Sequence, residues 1–196
     1  MRALCRAALI IAGTGFFLSV AASSAAQPEP PRVPYIARDV CPFEGCDYGT
    51  WMARSPVRAY KAEGDTSVAA FTLSPQERFQ ALRGNVHVVK LGEVLVRRPL
   101  PMTGGRTLRR GDQVHVLAYR GEGRYELWHQ GARFTAPAFW PPFVPMERPP
   151  AEIVTWPEMF WWVLIKAPPA RQGWLRLRNV SRSGFEFNED ICTGPC

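Results

Sequence analysis

The chain lacks the motifs that mark the common classes of enzyme. It contains neither a G-x-S-x-G nucleophile elbow nor a phosphate-binding G-x-x-x-x-G-K loop. Histidine occurs only at positions 87, 115 and 129, each time in a predicted strand. His87 and His115 lie between apolar residues that should face inward, so we expect both side chains to point to solvent. These absences favour a protein that binds over one that catalyses.

Long apolar runs are missing after residue 26, where none reaches the roughly 20 residues that a membrane span needs. Residues 1–26 have the three parts of a secretory signal peptide. Arg2 and Arg6 precede an apolar run over residues 7–20, and small residues follow up to Ala26. We predict cleavage after Ala26 and export to the periplasm or the medium, with no integral membrane segment left.

Cysteine is also scarce in the exported part of the chain. Four cysteines follow the cleavage site: Cys41, Cys46, Cys192 and Cys196. An even number of cysteines in an exported chain predicts disulfides. The C-x4-C and C-x3-C spacings favour two local bridges, whereas bridges between the two ends of the mature chain and a four-thiolate zinc site are the alternatives.

The charge of the mature chain is mildly basic. Cleavage lowers the formal net charge from +7 to +5, because residues 1–26 contain two arginines and no acid. Such a balance favours contact with anionic envelope polymers, and no nucleic-acid recognition element is present. Glu189 and Asp190 offer too few oxygens for a calcium site. We therefore predict no metal and no cofactor.

One turn pattern occurs twice. Residues 72–82 and residues 107–117 each begin with Thr-Leu and continue through a turn and an acidic residue into alternating apolar positions. That alternation is typical of a strand with one buried face. Residues 74–77 also fit a helix start, but their counterpart at 109–112 lacks the cap, so we predict a turn in both.

Further along the chain, the apolar motif at residues 86–89 aligns with the apolar motif at residues 125–128. The turn that precedes the second motif is the longer of the two. Two segments about 35 residues apart, each too short to bury much alone, predict two small barrels or one duplicated sheet.

Three groups of motifs follow one another along the chain: Val57-Arg58 with Thr72-Leu73, then Thr107-Leu108 with Gly111-Asp112, and finally Trp161-Trp162-Val163 with Gly173-Trp174-Leu175. Taken in this order they resemble the bacterial SH3-like (SH3b) domain, a small barrel found in exported envelope proteins. The resemblance implies an all-β fold of two tandem small SH3-like barrels with a Pro-rich insert in the second. It also implies binding to cell-wall peptides or to partner proteins.

The resulting organisation has five segments: a signal peptide (1–26), a Pro-rich lead-in with the Cys41/Cys46 loop (27–50), a first barrel (51–98), a second barrel (99–180) with an insert at 137–157, and a C-terminal tail (181–196).

Five aromatic residues on predicted strands are candidate ligand-binding residues: Tyr125, Trp128, Trp161, Trp162 and Trp174. Adjacent Trp161 and Trp162 face opposite sides of a sheet, so we expect one in the core and the other outside. An outward Trp suits stacking on a sugar ring or a proline, and the Pro-rich insert could itself occupy such a groove. Core packing of most of the five is the alternative.

The sequence therefore predicts an exported, non-enzymatic binding module that contacts peptidoglycan or a partner envelope protein through an aromatic groove. A secreted structural or inhibitor-like protein without a wall ligand is one alternative. A small carboxylate-dependent hydrolase is another, although no pair of acids stands out in the sequence.

Overall fold

The computed structural model describes residues 28–44, 47–102, 104–143, 147–178 and 190–193; the predicted signal peptide lies outside them. Within these residues the chain is all-β with antiparallel pairing, which confirms the predicted fold class. Its strands are β1 (Tyr35–Ala37), β2 (Gly49–Ala53), β3 (Val57–Ala62), β4 (Asp65–Leu73), β5 (Arg78–Lys90), β6 (Gly92–Val96), β7 (Leu100–Pro101), β8 (Thr107–Leu108), β9 (Gln113–Tyr119), β10 (Arg124–His129), β11 (Ala132–Pro137), β12 (Ala151–Thr155), β13 (Glu158–Ala167), β14 (Arg171–Arg178) and β15 (Ile191–Thr193).

Two larger sheets and one hairpin contain these strands. The first sheet has the order β15-β2-β5-β13-β14-β3-β4, with β1 also paired to β5. The second sheet has the order β11-β10-β9-β6-β12, and β7 pairs with β8. Strands β6 to β12 all lie between β5 and β13 in the chain, although β5 and β13 pair with each other. The second sheet is therefore inserted between two neighbouring strands of the first.

Most strand pairings of the first sheet recur among β6 to β12, although the described residues show no counterpart of β14·β3, and β7 and β8 form a separate hairpin. In chain order, β2, β3, β4, β5, β13, β14 and β15 correspond to β6 through β12. The pairings β2·β5, β3·β4, β5·β13, β13·β14 and β15·β2 recur as β6·β9, β7·β8, β9·β10, β10·β11 and β12·β6. We call residues 35–90 with 158–193 the first copy and residues 92–155 the second copy.

The repeated turn occupies equivalent places in the two copies. The backbone N–H of Ser74 donates to Glu77 Oε2 at 2.9 Å, and that of Arg109 donates to Asp112 Oδ2 at 2.7 Å. In each turn the N–H of the acidic residue donates back to the carbonyl of the first residue, at 3.1 and 3.0 Å. Both segments are turns, as the comparison of the two sequences predicts, because the acidic side chain satisfies the backbone without a helix.

Each turn is also tied to a corresponding strand of its own copy, β2 in the first and β6 in the second. The N–H of Gln76 donates to the carbonyl of Ala53 at 2.7 Å, and the N–H of Gly111 donates to that of Val96 at 2.8 Å. Gln76 and Gly111 occupy the same position of the turn, and both have positive φ, 64° and 91°. The first copy thus places a glutamine where the backbone favours glycine.

Each copy has its own core. The first contains Trp51, Leu73, Phe79, Val86, Trp161 and Leu175 among its buried residues. The second contains Val94, Leu108, Val116, Tyr125, Leu127 and Trp140. Leu73 and Leu108, which precede the repeated turn, are both fully buried. The apolar alternation around the turn therefore marks the core-facing residues of both copies.

The Trp161-Trp162 strand closes the first copy, whereas the sequence analysis assigns it to the second barrel. β13 pairs with β5 from Glu158 opposite Lys90 to Lys166 opposite Gln80. Lys90 and Glu158 are 68 positions apart. The predicted boundary between residues 98 and 99 therefore does not separate the two sheets, since local sequence patterns carry no information about a pairing this distant.

The predicted insert at 137–157 is the connection from β11 to β12 and includes β12 itself. Trp140 from this segment is fully buried in the second core, where its ring centroid lies 5.2 Å from that of Tyr125. The segment therefore completes the second copy.

Two acidic side chains connect the copies. Glu126 on β10 accepts a hydrogen bond from the Tyr35 hydroxyl of β1 at 2.8 Å and also pairs with Arg120. Glu44, in the loop after β1, accepts a hydrogen bond from the N–H of Gly123 at 2.8 Å. Charged hydrogen bonds of this kind, partly shielded from water, fix one copy against the other.

Cys41 is disulfide-bonded and so has no thiolate to offer to a zinc ion. Cys192 lies on β15, which pairs with β2, while Cys46 and Cys196 lie outside the described residues. The pairing of the four cysteines therefore stays a prediction.

The repeated turn gives a matched test of backbone strain. We predict that Gly111→Ala lowers the free energy of unfolding by about 1 kcal/mol, because a side chain disfavours positive φ. A Cβ at position 111 would meet no atom within 4 Å, so no clash contributes. The control is Gln76→Ala, which changes stability little because glutamine already carries the same φ cost. Urea unfolding of both variants measures this, and equal effects at the two positions would contradict the interpretation.

Candidate functional site

A groove lies on the face of the second sheet that is opposite its core. Alternation along β6, β9 and β10 places Glu93, His115 and Trp128 side by side on this face, with His115 opposite both of the others. The ring centroids of His115 and Trp128 are 5.5 Å apart. Trp128 is 8% exposed and His115 is half-buried. A sheet face that is away from its core and still shielded must be covered by another part of the chain.

The cover is a proline-rich stretch, residues 28–33, which we call the proline segment. Pro28 and Pro30 line a cavity of about 380 Å³ together with His115 and Trp128. Residues 30–33 line a second cavity, of about 620 Å³, which His115 also lines. A Cβ added to Gly131 would lie 3.2 Å from Pro28 Cγ, so the missing side chain leaves room for the segment. The proline segment therefore shares both cavities with the aromatic face.

Two histidines give this groove its polar character. The ring nitrogen Nε2 of His129 lies 3.3 Å from Asp112 Oδ2, and both residues line the smaller cavity. Burial lowers the pKa of His129, against the opposing effect of Asp112. Burial also lowers the pKa of His115, against the opposing charge of Glu93. Both rings are therefore held towards the neutral form.

Each of these rings has one nitrogen that is not used. Nδ1 of His115 and Nδ1 of His129 are buried and have no hydrogen-bond partner among the described residues. Buried polar atoms in folded proteins are nearly always satisfied, by protein or by water. Each histidine that lines the groove thus has one buried ring nitrogen whose hydrogen-bonding capacity the described residues do not use.

The structure does not bring the five predicted aromatic residues together. Trp128 lines the groove, whereas Tyr125 and Trp161 lie in the second and first cores. Trp162 and Trp174 lie on the outer face of the first sheet, where the guanidinium carbon of Arg83 is 5.8 Å from the Trp174 ring. The five residues therefore occupy different places, and Trp128 is the one next to the proline segment.

The expectation that one of the adjacent tryptophans is exposed is wrong. Trp161 and Trp162 do face opposite sides, but they are 1% and 3% exposed. The rings of Tyr60 and His87 cover Trp162, each with its centroid 5.9 Å away. Trp162 is buried because the β3–β4 hairpin folds over this face, which strand alternation alone cannot reveal.

The expected solvent exposure of His87 is also wrong. His87 is 8% exposed, and its Nε2 lies 2.6 Å from Glu63 Oε1 in the β3–β4 turn. Asn85 Nδ2 donates to Glu63 Oε2 at 2.9 Å. Gly64 has a φ of +78°, and a Cβ there would lie 3.4 Å from His87 Cε1. The contacts of Glu63 with His87 and Asn85 beneath this turn thus replace the hydrogen bonds to water that an exposed His87 would make.

The residues that face Trp128 across the groove are not among the predicted site residues. Residues 28–33 were predicted to be part of a lead-in, and the Pro-rich insert was the predicted candidate occupant of an aromatic groove. The signal that could have placed them is Pro-x-Pro-Pro at 28–31, which favours the extended conformation that docks on aromatic faces. The insert instead packs Trp140 into the second core.

Comparisons of the chain with protein-family models, with curated proteins and with solved structures found no match. In the described part of the chain, no helix has the length and apolar character needed to cross a bilayer.

The lowered pKa of His115 predicts a pH dependence of stability. Its unfolded-state pKa is near the ordinary value of 6.5, so the unfolded chain binds a proton more readily than the folded one. The contribution of this group to stability is therefore lost as the pH falls through about 6.5.

We predict that the free energy of unfolding declines between about pH 7.5 and about pH 5.5, and that His115→Gln makes this decline smaller. Urea unfolding at the two pH values measures both quantities. An equal decline in the wild type and the variant would show that His115 does not contribute.

Proposed function

We propose that this chain is an exported, non-enzymatic binding module built from two SH3-like units, and that its groove holds an extended, proline-containing segment of an envelope partner protein. The single observation that carries the proposal is the position of the proline segment beside Trp128 and His115. A groove that accepts the chain's own Pro-Glu-Pro-Pro stretch has a shape suited to similar segments of other proteins.

Physical chemistry supports this ligand class. Proline-rich peptides are already extended before binding, so they lose little conformational entropy on docking. The flat ring of Trp128 offers apolar area to a proline ring. The buried Nδ1 atoms of His115 and His129 have no partner among the described residues, and we propose that they hydrogen-bond the backbone of an extended peptide once the proline segment is displaced.

The proposed location rests on the signal-like residues 1–26 and is supported by the disulfide at Cys41. Disulfides persist in oxidising compartments such as the bacterial periplasm. The likeness to SH3-like domains is supported by strand pairings that recur in the two copies, among them β15 with β2 and β12 with β6.

The test is peptide binding by the full mature chain, beginning at Gln27. A synthetic peptide with the sequence of residues 27–33 is titrated while the indole N–H resonance of Trp128 is followed by NMR. We expect a saturable shift that is absent with a peptide whose prolines are replaced by alanine. Purified wall polymer is the second arm, and retention on it without a peptide shift would replace the protein ligand with a polysaccharide one.

Two variants separate the groove from the rest of the surface. We expect Trp128→Ala to weaken peptide binding about tenfold or more, the range of a central aromatic contact; calorimetry measures this, because the variant lacks the indole resonance. Trp174→Ala, at an aromatic residue on the other sheet, should leave binding unchanged. Because Trp128 is mostly buried, His115→Gln is the second groove variant. Unchanged binding in both groove variants, or no binding of either ligand, would favour a structural protein whose groove only packs its own chain.

A further inference from the structure

A second cleft, separate from the groove, lies on the outer face of the first sheet. Its cavity of about 260 Å³ is lined by Arg58 and Tyr60 of β3, Phe160 of β13, Arg176 and Arg178 of β14, and Asp190, with Pro56 and Val57 at one end. The three arginine side chains are exposed, and the two aromatic residues are half-buried. Three guanidinium groups therefore surround a small aromatic cleft.

Strand pairing forces two of these positive charges together. Trp174 lies opposite Tyr60 and Leu175 lies opposite Ala59, so continuing the register by one residue places Arg176 opposite Arg58. Like charges directly opposite each other on one sheet face destabilise the pairing. Arg178 follows on the same side of β14. The β3·β14 pairing thus brings cationic side chains close together at some cost.

Among the described residues, none of the three arginines forms an ion pair, whereas four other arginines do: Arg97, Arg120, Arg133 and Arg171. The acid that lines the cleft, Asp190, instead accepts a hydrogen bond from Ser55 Oγ at 2.7 Å. The charged side chains lining the cleft carry three positive charges and one negative charge. The remaining positive charge is not neutralised by this part of the chain.

An aromatic ring holds one of the guanidinium groups in place. The Cζ atom of Arg176 lies 3.5 Å from the centroid of the Phe160 ring, a close cation–π contact. Such stacking orders the guanidinium and leaves its N–H donors free at the edge of the plane. The guanidinium is thus preorganised to donate two parallel hydrogen bonds to an oxyanion.

From these observations we propose that the Arg58–Arg176–Arg178 cleft binds a phosphate group carried on a sugar or a lipid headgroup. The net positive charge of the cleft complements a phosphomonoester, whose charge near neutral pH is roughly −1.5 to −2. The half-buried rings of Tyr60 and Phe160, which line the cleft, offer apolar area to the carrier. A small cavity suits one such group better than a long polymer.

The experiment uses the full mature chain and three probes: glucose 1-phosphate, vesicles containing phosphatidylglycerol, and glucuronate. Binding is followed by calorimetry for the sugars and by co-sedimentation for the vesicles. We expect saturable, salt-sensitive binding of glucose 1-phosphate or of the vesicles, and the arm that binds identifies a sugar or a lipid as the carrier. Glucuronate binding as tight as that of glucose 1-phosphate would overturn the assignment to phosphate.

The decisive variant is Arg58→Gln combined with Arg176→Gln. We expect at least a tenfold loss of affinity for the probe that binds, with an unfolding temperature that is unchanged or higher because the opposed charges are gone. The matched control, Arg98→Gln combined with Arg110→Gln, removes two exposed arginines of the second copy and should have no effect. No binding of any probe, or an equal loss in the control, would overturn the proposal. Peptide binding at Trp128 is expected to be unaffected, so this proposal and the function proposed for the groove fail independently.

Discussion

The pairing of β5 with β13 is the constraint on which the rest of the structure depends. It joins residues 68 positions apart and completes the first core with Trp161, Val163 and Ile165. The folded second copy lowers the conformational-entropy cost of closing so long a loop. Its first and last strands, β6 and β12, pair with Glu93 opposite Thr155, so folding of this copy brings its two ends together. The second copy therefore holds the end of β5 close to the start of β13, where Lys90 lies opposite Glu158.

The two copies share a plan but differ in how their outer faces are covered. In the first copy the long β3–β4 hairpin places Glu63 against His87 and buries Trp162. In the second copy the corresponding strands β7 and β8 have two residues each. This short hairpin leaves the face with His115 and Trp128 to another part of the chain, and the proline segment lies there. The difference in hairpin length thus covers Trp162 in the first copy and leaves a groove beside Trp128 in the second.

How much the sequence could predict depends on how local each feature is. The repeated turn at 74–77 and 109–112 was predictable, because an acidic side chain bonding a backbone N–H three residues earlier is a local interaction. The opposite orientation of Trp161 and Trp162 followed from the period of a strand. Their burial did not, since it depends on a hairpin folding over them. Two further features could not be predicted because they also depend on contacts between distant parts of the chain. These are the assignment of β13 to the first sheet and the position of residues 28–33.

The proline segment also sets a condition on any ligand of the groove. It is joined through Pro34 to β1, which is paired with β5, so its prolines are held close to Trp128 by a short tether. A tethered segment has an effective concentration on the order of millimolar. An external peptide therefore competes with the proline segment. The apparent affinity of the peptide is its intrinsic affinity multiplied by the fraction of molecules whose groove is open. A physiological partner must accordingly contact more surface than the groove offers, or bind where the N-terminal residues are drawn away from Trp128.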